Sequence, residues 1–295
     1  MGVFFFFRLF FSKTLRMLYH YSPITSALLI AAICYFFYKK YLKTPGIRAK
    51  PNAYKTDFEP DTVYLYQFKR VQNCPSLSPF CMKIEILCRA YGIPYVICDK
   101  KRIYSRNGTL PFIELNGEHI ADSDLIERRL RELFKIPALP AVKEAQSIAL
   151  TRLADNHLFN VLIRYKAAGD GLYLTILGLI GLPAFLTPIL LPIFKAAFGR
   201  KIYNRSKMAI GDFEPADLDA LLHTDLQVIQ DFLGDQKFLF GDKITPVDAT
   251  VFGQLATVYY PFRCHIGDVL ERDFPKIVEY MERVRHAVYP NDFTI

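Results

Sequence analysis

The chain has 295 residues, and its hydrophobic content of 52% excludes general disorder and allows a sizeable core. Its formal net charge is +8, but residues 1–55 hold nine basic and no acidic side chains, which leaves 28 basic against 29 acidic residues in the rest. A body that binds nucleic acid would carry its own basic face, so the charge pattern argues against a nucleic-acid partner.

The N-terminal segment contains an uncharged run, YSPITSALLIAAICYFFY, over residues 21–38. Eighteen residues suffice for a helix that crosses a bilayer, and the aromatic residues with the two lysines that follow are typical of an interfacial anchor. A cleaved signal peptide is the alternative, but no small-residue cleavage site follows the run. More basic residues follow the span than precede it. We therefore expect a membrane anchor over residues 1–43, with a single pass and the body facing the cytosol.

A first folded half is predicted over residues 61–136, after a linker over 44–60 that is rich in proline. The segment VYLYQF is typical of a strand, and the helix PFCMKIEILCRAYG follows with Ser78 as its N-cap. PYVICD is a second strand, and LPFIEL and EHIAD form a hairpin around Asn116-Gly117. Asp122 or Ser123 can cap the next helix. A helix that joins the first two strands indicates a parallel pair, so this order predicts a thioredoxin-like fold.

The second half, residues 141–290, shows the apolar periodicity of helices. Thr245 and Asp248 fit a structural capping box at the start of one helix, with a proline between them. Residues 171–194 form an apolar insertion without a single charge. Its length permits a second membrane span, but its prolines and glycines argue against a straight helix. A span here would also separate two halves of one domain, so an insertion that is buried or rests on a membrane is the favoured alternative.

Several motifs together resemble the glutathione S-transferase superfamily. Residues 78–81, Ser-Pro-Phe-Cys, stand where glutaredoxin-like domains carry Cys-Pro-Phe/Tyr-Cys, and Leu110-Pro111 resembles the cis-proline step of that fold. Asp122-Ser123 resembles the acidic-Ser pair that holds the γ-glutamyl end of glutathione in transferases. Residues 238–253 and 78–95 resemble the Failed-axon-connections/metaxin-like branch, and within it the nematode cadmium-inducible lysosomal proteins.

This resemblance implies an α/β thioredoxin-like N-terminal domain plus an all-α glutathione-transferase-like C-terminal domain, preceded by the transmembrane helix. It also implies a lysosomal or endomembrane location and a role in the response to stress or cadmium. No bound cofactor is expected. Glutathione is the expected cosubstrate, held by Leu110, Pro111, Asp122 and Ser123.

Two residues are candidates for chemistry at the start of the first helix. Ser78 cannot form a mixed disulfide, which excludes dithiol exchange through this motif, but its hydroxyl can hold the thiolate of glutathione as in some transferases. The alternative is that Ser78 only caps the helix. Cys81 lies in the first helical turn, where the helix dipole favours a thiolate. A small buried apolar side chain is the alternative for Cys81.

Two other functions remain open. Metal binding by the cysteines is disfavoured because the chain has no CxxC or CxC pair, and Cys81 and Cys88 are two helical turns apart, too far to share one ion. No metal site is therefore predicted. The stronger alternative is a non-catalytic, membrane-tethered adaptor of the metaxin type, which would bind a protein partner or form a homodimer.

Overall fold

The computed structural model describes residues 53–99, 104–181, 184–262 and 264–294, together with Leu28, Ala31 and Tyr35. Among these residues four strands form one sheet, in the order β2-β1-β3-β4. They are β1 (Val63–Tyr66), β2 (Tyr95–Cys98), β3 (Phe112–Leu115) and β4 (Glu118–Ala121). β1 pairs with β2 in parallel, while β3 runs antiparallel to both β1 and β4. The predicted parallel pair and the predicted hairpin are both confirmed.

The described helices are numbered here in chain order. They are α1 (Pro79–Ala90), α2 (Ser123–Leu133), α3 (Ala141–Arg152), α4 (Phe159–Ala168), α5 (Gly171–Ile180), α6 (Thr187–Phe194), α7 (Arg200–Ile210), α8 (Pro215–Leu233), α9 (Pro246–Tyr259), α10 (His265–Asp273) and α11 (Pro275–Val288). Short π-helical turns, Leu153–Leu158 and Lys195–Gly199, join α3 to α4 and α6 to α7. A thioredoxin-like half followed by a helical half is therefore confirmed.

Local sequence rules account for the ends of α1 and for the hairpin. Ser78 caps α1 by accepting the N–H of Cys81, and Pro79 occupies the first turn, where its missing N–H costs nothing. Gly92 ends the helix with a φ of 62°, a left-handed conformation that glycine adopts without penalty. Asn116 and Gly117 also have positive φ, as a tight hairpin turn requires.

One continuous apolar core joins the two halves. α1 packs against the sheet through residues such as Leu87 and against α9, whose side chains Val251, Phe252 and Leu255 are fully buried. α11 closes this core from the other side with Tyr280 and its neighbours. The helix that opens with Ser78 is thus held between the sheet and the helical half.

The opposite face of the sheet is covered by part of the predicted linker. The ring of Tyr54 lies 5.9 Å from those of both Tyr66 and Phe112, and the last two stack at 4.3 Å. The buried carboxylate of Glu114 accepts the N–H groups of Tyr54 and Lys55 at 2.6 and 2.8 Å. Residues 53–60 therefore pack on the folded body rather than run free of it.

The apolar insertion is divided into short helices. α5 ends at Gly181, which has a φ of 79°, and α6 begins after a 3₁₀ turn, Ala184–Leu186. Leu172, Tyr173 and Leu177 are buried, but Phe185 is 76% exposed and Ile189 and Ile193 are each 62% exposed. The insertion is thus only partly buried.

The predicted location is wrong. Among the residues that the structure describes, no helix combines the length and the apolar character that a membrane span requires, which contradicts a single-pass membrane protein. The same observation rules against a second span over residues 171–194. The anchor predicted over residues 21–38 lies outside the described residues, apart from Leu28, Ala31 and Tyr35.

Candidate functional site

The sheet register gathers the three predicted motifs at one end of the sheet. Tyr66 at the end of β1 pairs with Phe112 at the start of β3, and Phe112 pairs with Ala121 at the end of β4. Pro111 directly precedes Phe112, and Asp122 directly follows Ala121. The loop that leaves β1 leads to Ser78. Residues that lie far apart in sequence therefore share one edge, where a single ligand can contact them.

Ser78 is half-buried at the N-terminus of α1. Its Oγ accepts the N–H of Cys81 at 3.4 Å, a long bond, and its own N–H donates to Oγ of Ser76 at 3.2 Å. The first turn of α1 carries no acidic residue. A helix N-terminus presents unpaired N–H groups and positive potential, so this position favours an anion beside the Ser78 hydroxyl.

The cysteines near Ser78 are inaccessible. Cys81 is fully buried, and burial raises the pKa of its thiol to about 11. Cys74 is also buried, with a pKa raised to about 12, and its Sγ lies 3.6 Å from Sδ of Met82. Cys88 is buried within α1. These thiols stay protonated at neutral pH, so burial argues against a role for Cys81 as a nucleophile.

The end of the sheet that holds Leu110-Pro111 and Asp122-Ser123 has two unusual backbone features. The Leu110-Pro111 bond is cis, as expected, and Asp122 has a φ of 81° with a ψ of 130°. Positive φ is uncommon for residues other than glycine and concentrates at functional sites. The Asp122 side chain accepts the N–H of Asp124 at 3.0 Å and so caps α2, while Ser123 is buried beside it.

Sequence reasoning missed two residues of the helical half that contact this site. A Cβ added to Gly253 of α9 would lie 2.8 Å from the carbonyl oxygen of Pro79, so this glycine permits close approach to the first turn of α1. Nζ of Lys166 in α4 donates to the carbonyl oxygen of Leu77 at 2.8 Å. The sequence did carry two signals for these residues. One is a lysine within the apolar pattern of α4, and the other is a glycine in the interior of α9.

Aromatic side chains lie near Ser78, at the first turn of α1. The Phe80 and Phe159 rings lie 5.0 Å apart, and both side chains are half-buried. The guanidinium of Arg205 in α7 lies 5.8 Å from the Phe159 ring. An apolar surface with a cation at its edge therefore adjoins the helix N-terminus.

Thr245 and Asp248 form the capping box that the sequence pattern predicts at the start of α9. The buried Asp248 carboxylate accepts the N–H groups of Thr245 and Leu239 at 2.7 and 2.9 Å, and the hydroxyls of Thr245 and Tyr280 at 2.6 and 3.1 Å. Burial raises its pKa although these bonds favour the charged form. Their arrangement is that of a structural cap.

Comparison with protein families matches both halves. A model of the glutathione S-transferase N-terminal domain matches residues 79–170, and a model of the glutathione S-transferase C-terminal domain matches residues 222–284. Residues 171–221, which contain the apolar insertion, lie between the two matches.

Two relatives and one solved structure illustrate the similarity. Failed axon connections of Drosophila melanogaster is 33% identical over 82% of this chain, and the chain spans 62% of that relative's length. Isoprene-epoxide–glutathione S-transferase of Rhodococcus is 28% identical, over 76% of this chain and 98% of the relative.

The solved structure is a glutathione S-transferase of Ceriporiopsis subvermispora in complex with glutathione. It aligns with a TM-score of 0.52 and 18% identity over 78% of this chain and 99% of its own. This likeness shows the fold. The chain thus has a thioredoxin-fold half and a helical half of the transferase kind.

Proposed function

Because the protein is glutathione-transferase-like in both halves, we propose that it binds glutathione at the Ser78 end of the sheet. The Ser78 hydroxyl faces the thiol of the ligand. The main chain at Leu110-Pro111 and the Asp122-Ser123 pair hold its peptide. The observation that carries this proposal is the register of β1, β3 and β4, which brings these positions to one edge.

The arrangement favours a hydroxyl-type site over a thiol-type site. Ser78 stands at the helix N-terminus, where an anionic thiolate is stabilised, while the Cys81 thiol is buried and its pKa is raised. The adjoining Phe80 and Phe159 rings suit an electrophile with an apolar body. We assign the protein a weak conjugating activity in which the bound glutathione thiolate forms a carbon–sulfur bond to such a compound and displaces its leaving group, as chloride is displaced from 1-chloro-2,4-dinitrobenzene. The stress and cadmium roles stay predictions.

Titration calorimetry with the full chain tests glutathione binding. Ser78→Ala removes one hydrogen bond to a charged sulfur, so we expect roughly tenfold or greater loss of affinity. If Ser78 is only a cap, this change lowers stability by about 1 kcal/mol and leaves affinity unchanged. A folded wild-type protein that binds no glutathione would remove the proposal.

A gain of function gives a second test. Ser78→Cys introduces a thiol at a half-exposed position. Its thiolate should attack oxidised glutathione and release one glutathione thiolate. The mixed disulfide that remains on the protein is detected by mass spectrometry. Thr224→Cys, at an exposed position of α8, is the matched control and should react no faster than a free thiol. Equal rates for the two variants would count against a built site.

The second candidate function is a non-catalytic adaptor that binds a protein partner or a second copy of the chain. The exposed apolar side chains of the insertion, Phe185, Ile189 and Ile193, favour it because exposed apolar patches often mark interaction sites. Conjugation of 1-chloro-2,4-dinitrobenzene separates the two functions. Glutathione binding without any increase in the conjugation rate would favour the adaptor.

A further inference from the structure

Two lysines are buried where the halves meet, and their surroundings differ. Lys83 in α1 is 1% exposed, and its Nζ lies 3.0 Å from Asp124, 3.0 Å from Glu127 and 3.1 Å from Asp155. Burial opposes its charge, but the three carboxylates outweigh burial and raise its pKa. Lys83 therefore follows the rule that buried charges are paired.

Lys166 in α4 breaks that rule. It is 6% exposed, and within the described part of the chain no carboxylate lies at ion-pair distance from its ammonium group. Its contacts are the Leu77 carbonyl at 2.8 Å and the face of the Phe262 ring, whose centroid is 5.6 Å away. The titratable groups that face it are the thiols of Cys74 and Cys264, and burial lowers its pKa to about 8.

The unpaired charge of Lys166 lies next to the start of α1. Leu77 directly precedes Ser78, so the ammonium group contacts the main chain next to the residue that caps α1. The N-terminus of α1 adds positive potential, and its first turn holds no acid to offset it. Glu85, the acid nearest the buried thiols, is already paired with Arg70 and Arg89. A buried cation thus contacts the main chain directly before Ser78, and the positive end of a helix begins directly after it.

We propose that Lys166 is a positioning residue for an anionic thiol ligand: from its place on the Leu77 carbonyl it supplies the positive charge that keeps a thiol bound at Ser78 in its thiolate form. This inference rests on the proposed glutathione site. It assigns the missing counter-charge to the sulfur of the ligand, because the described chain offers none. A buried charge unpaired in the free protein is a cost that ligand binding offsets.

Two ligands separate this role from a structural one. Glutathione can present a thiolate, whereas S-methylglutathione has the same peptide and no ionisable thiol. We expect Lys166→Met to weaken glutathione binding about tenfold, which corresponds to a shift of about one pKa unit in the bound thiol, and to leave S-methylglutathione binding unchanged. Lys166→Arg keeps the charge and should retain the preference. Lys143→Met, at an exposed position of α3, should change neither affinity.

The pH at which the bound thiol ionises, followed by thiolate ultraviolet absorbance, is the decisive readout. It should rise in Lys166→Met and stay near the wild-type value in Lys166→Arg. If Lys166→Met weakens the binding of both ligands equally, Lys166 only holds the Leu77 carbonyl. If it changes the binding of neither, Lys166 has no role in binding. Either result overturns the inference about Lys166 and leaves the proposed glutathione site standing. If the wild-type protein binds neither ligand, the glutathione site itself is wrong and the inference falls with it.

Thermal unfolding shows whether a variant loses binding only because it no longer folds. Lys166→Met removes an unpaired buried charge and should keep or raise the unfolding midpoint, because Met is of similar length and apolar. A marked drop in the midpoint would indicate a structural role and would also overturn the inference. Lys83→Met, in contrast, leaves three carboxylates near one another and should lower the midpoint.

Discussion

Gly253 is one point where the helical half closely approaches the candidate site, and its replacement by alanine tests this approach. The added Cβ would lie 2.8 Å from the carbonyl oxygen of Pro79 and 3.5 Å from the backbone nitrogen of Lys83. Both neighbours are backbone atoms of α1, which cannot rotate away as a side chain could. The strain must therefore be relieved by moving α1 relative to α9.

The magnitude follows from two opposed terms. Overpacking a tight core costs about 1–3 kcal/mol, whereas alanine is about 1 kcal/mol better than glycine in a helix interior. We expect Gly253→Ala to lower the free energy of unfolding by up to about 2 kcal/mol, which is at most roughly 8 °C in the unfolding midpoint at about 2–4 °C per kcal/mol. Because Ser78 caps the shifted helix, glutathione affinity should fall as well.

Gly178→Ala in α5 is the matched control. Nothing lies within 4 Å of the Cβ that it would carry, and the glycine is also helical. The same chemical change should therefore stabilise the protein by about 0.5–1 kcal/mol through helix propensity alone. Calorimetric unfolding of both variants gives the comparison. Stabilisation by Gly253→Ala equal to that by Gly178→Ala would refute the close contact between α9 and α1.

Three further predictions follow from buried groups. Asp248→Ala leaves four donors without their acceptor and should cost about 3 kcal/mol or more in chemical denaturation, whereas Tyr280→Phe removes one donor and should cost about 1 kcal/mol. Glu114→Gln weakens the acceptor of the Tyr54 and Lys55 N–H groups, so hydrogen exchange of these two amides should accelerate while exchange within α9 stays slow. Burial lowers the pKa of Lys166 to about 8 from 10.5, so between these two pH values the unfolded chain binds more protons than the folded protein. The free energy of unfolding of the wild type, relative to that of Lys166→Met, should therefore rise with pH across that window. A difference in stability that does not change with pH would contradict the burial of a charged amine.

Elements set by short-range rules were predictable from the sequence. The Ser-Pro start of α1, its glycine stop and the Asn-Gly hairpin each depend on residues within a few positions. The site edge was predictable in part, because strand order and the resemblance place Leu110-Pro111 and Asp122-Ser123 at the same end. Their role in binding stays a prediction.

Features that depend on contacts between distant segments were not predictable. The close approach of Gly253 to the Pro79 carbonyl, which leaves no room for a Cβ, and the packing of Tyr54 on Phe112 join residues that no local pattern relates. The uncharged length of residues 171–194 permits a membrane span, but length and lack of charge do not report helix continuity. The left-handed Gly181 and the 3₁₀ turn Ala184–Leu186 separate α5 from α6 within this stretch, so the apolar run is not one helix.

The helical half adds a buried cation to the main chain beside the candidate site, next to the motif that itself opens α1. A serine in place of the attacking cysteine removes disulfide chemistry, yet it leaves the helix N-terminus able to stabilise an anion. Lys166 and Gly253 reach that N-terminus from α4 and α9, and both approach main-chain atoms that flank Ser78. Substitutions in α4 or α9 should therefore tune thiolate stabilisation without any change in residues 78–81. On the proposal that Lys166 keeps a bound thiol ionised, the same Ser-Pro-Phe-Cys motif could serve a catalytic or a purely binding protein, and the pair Lys166→Met and Lys166→Arg is the test that distinguishes them.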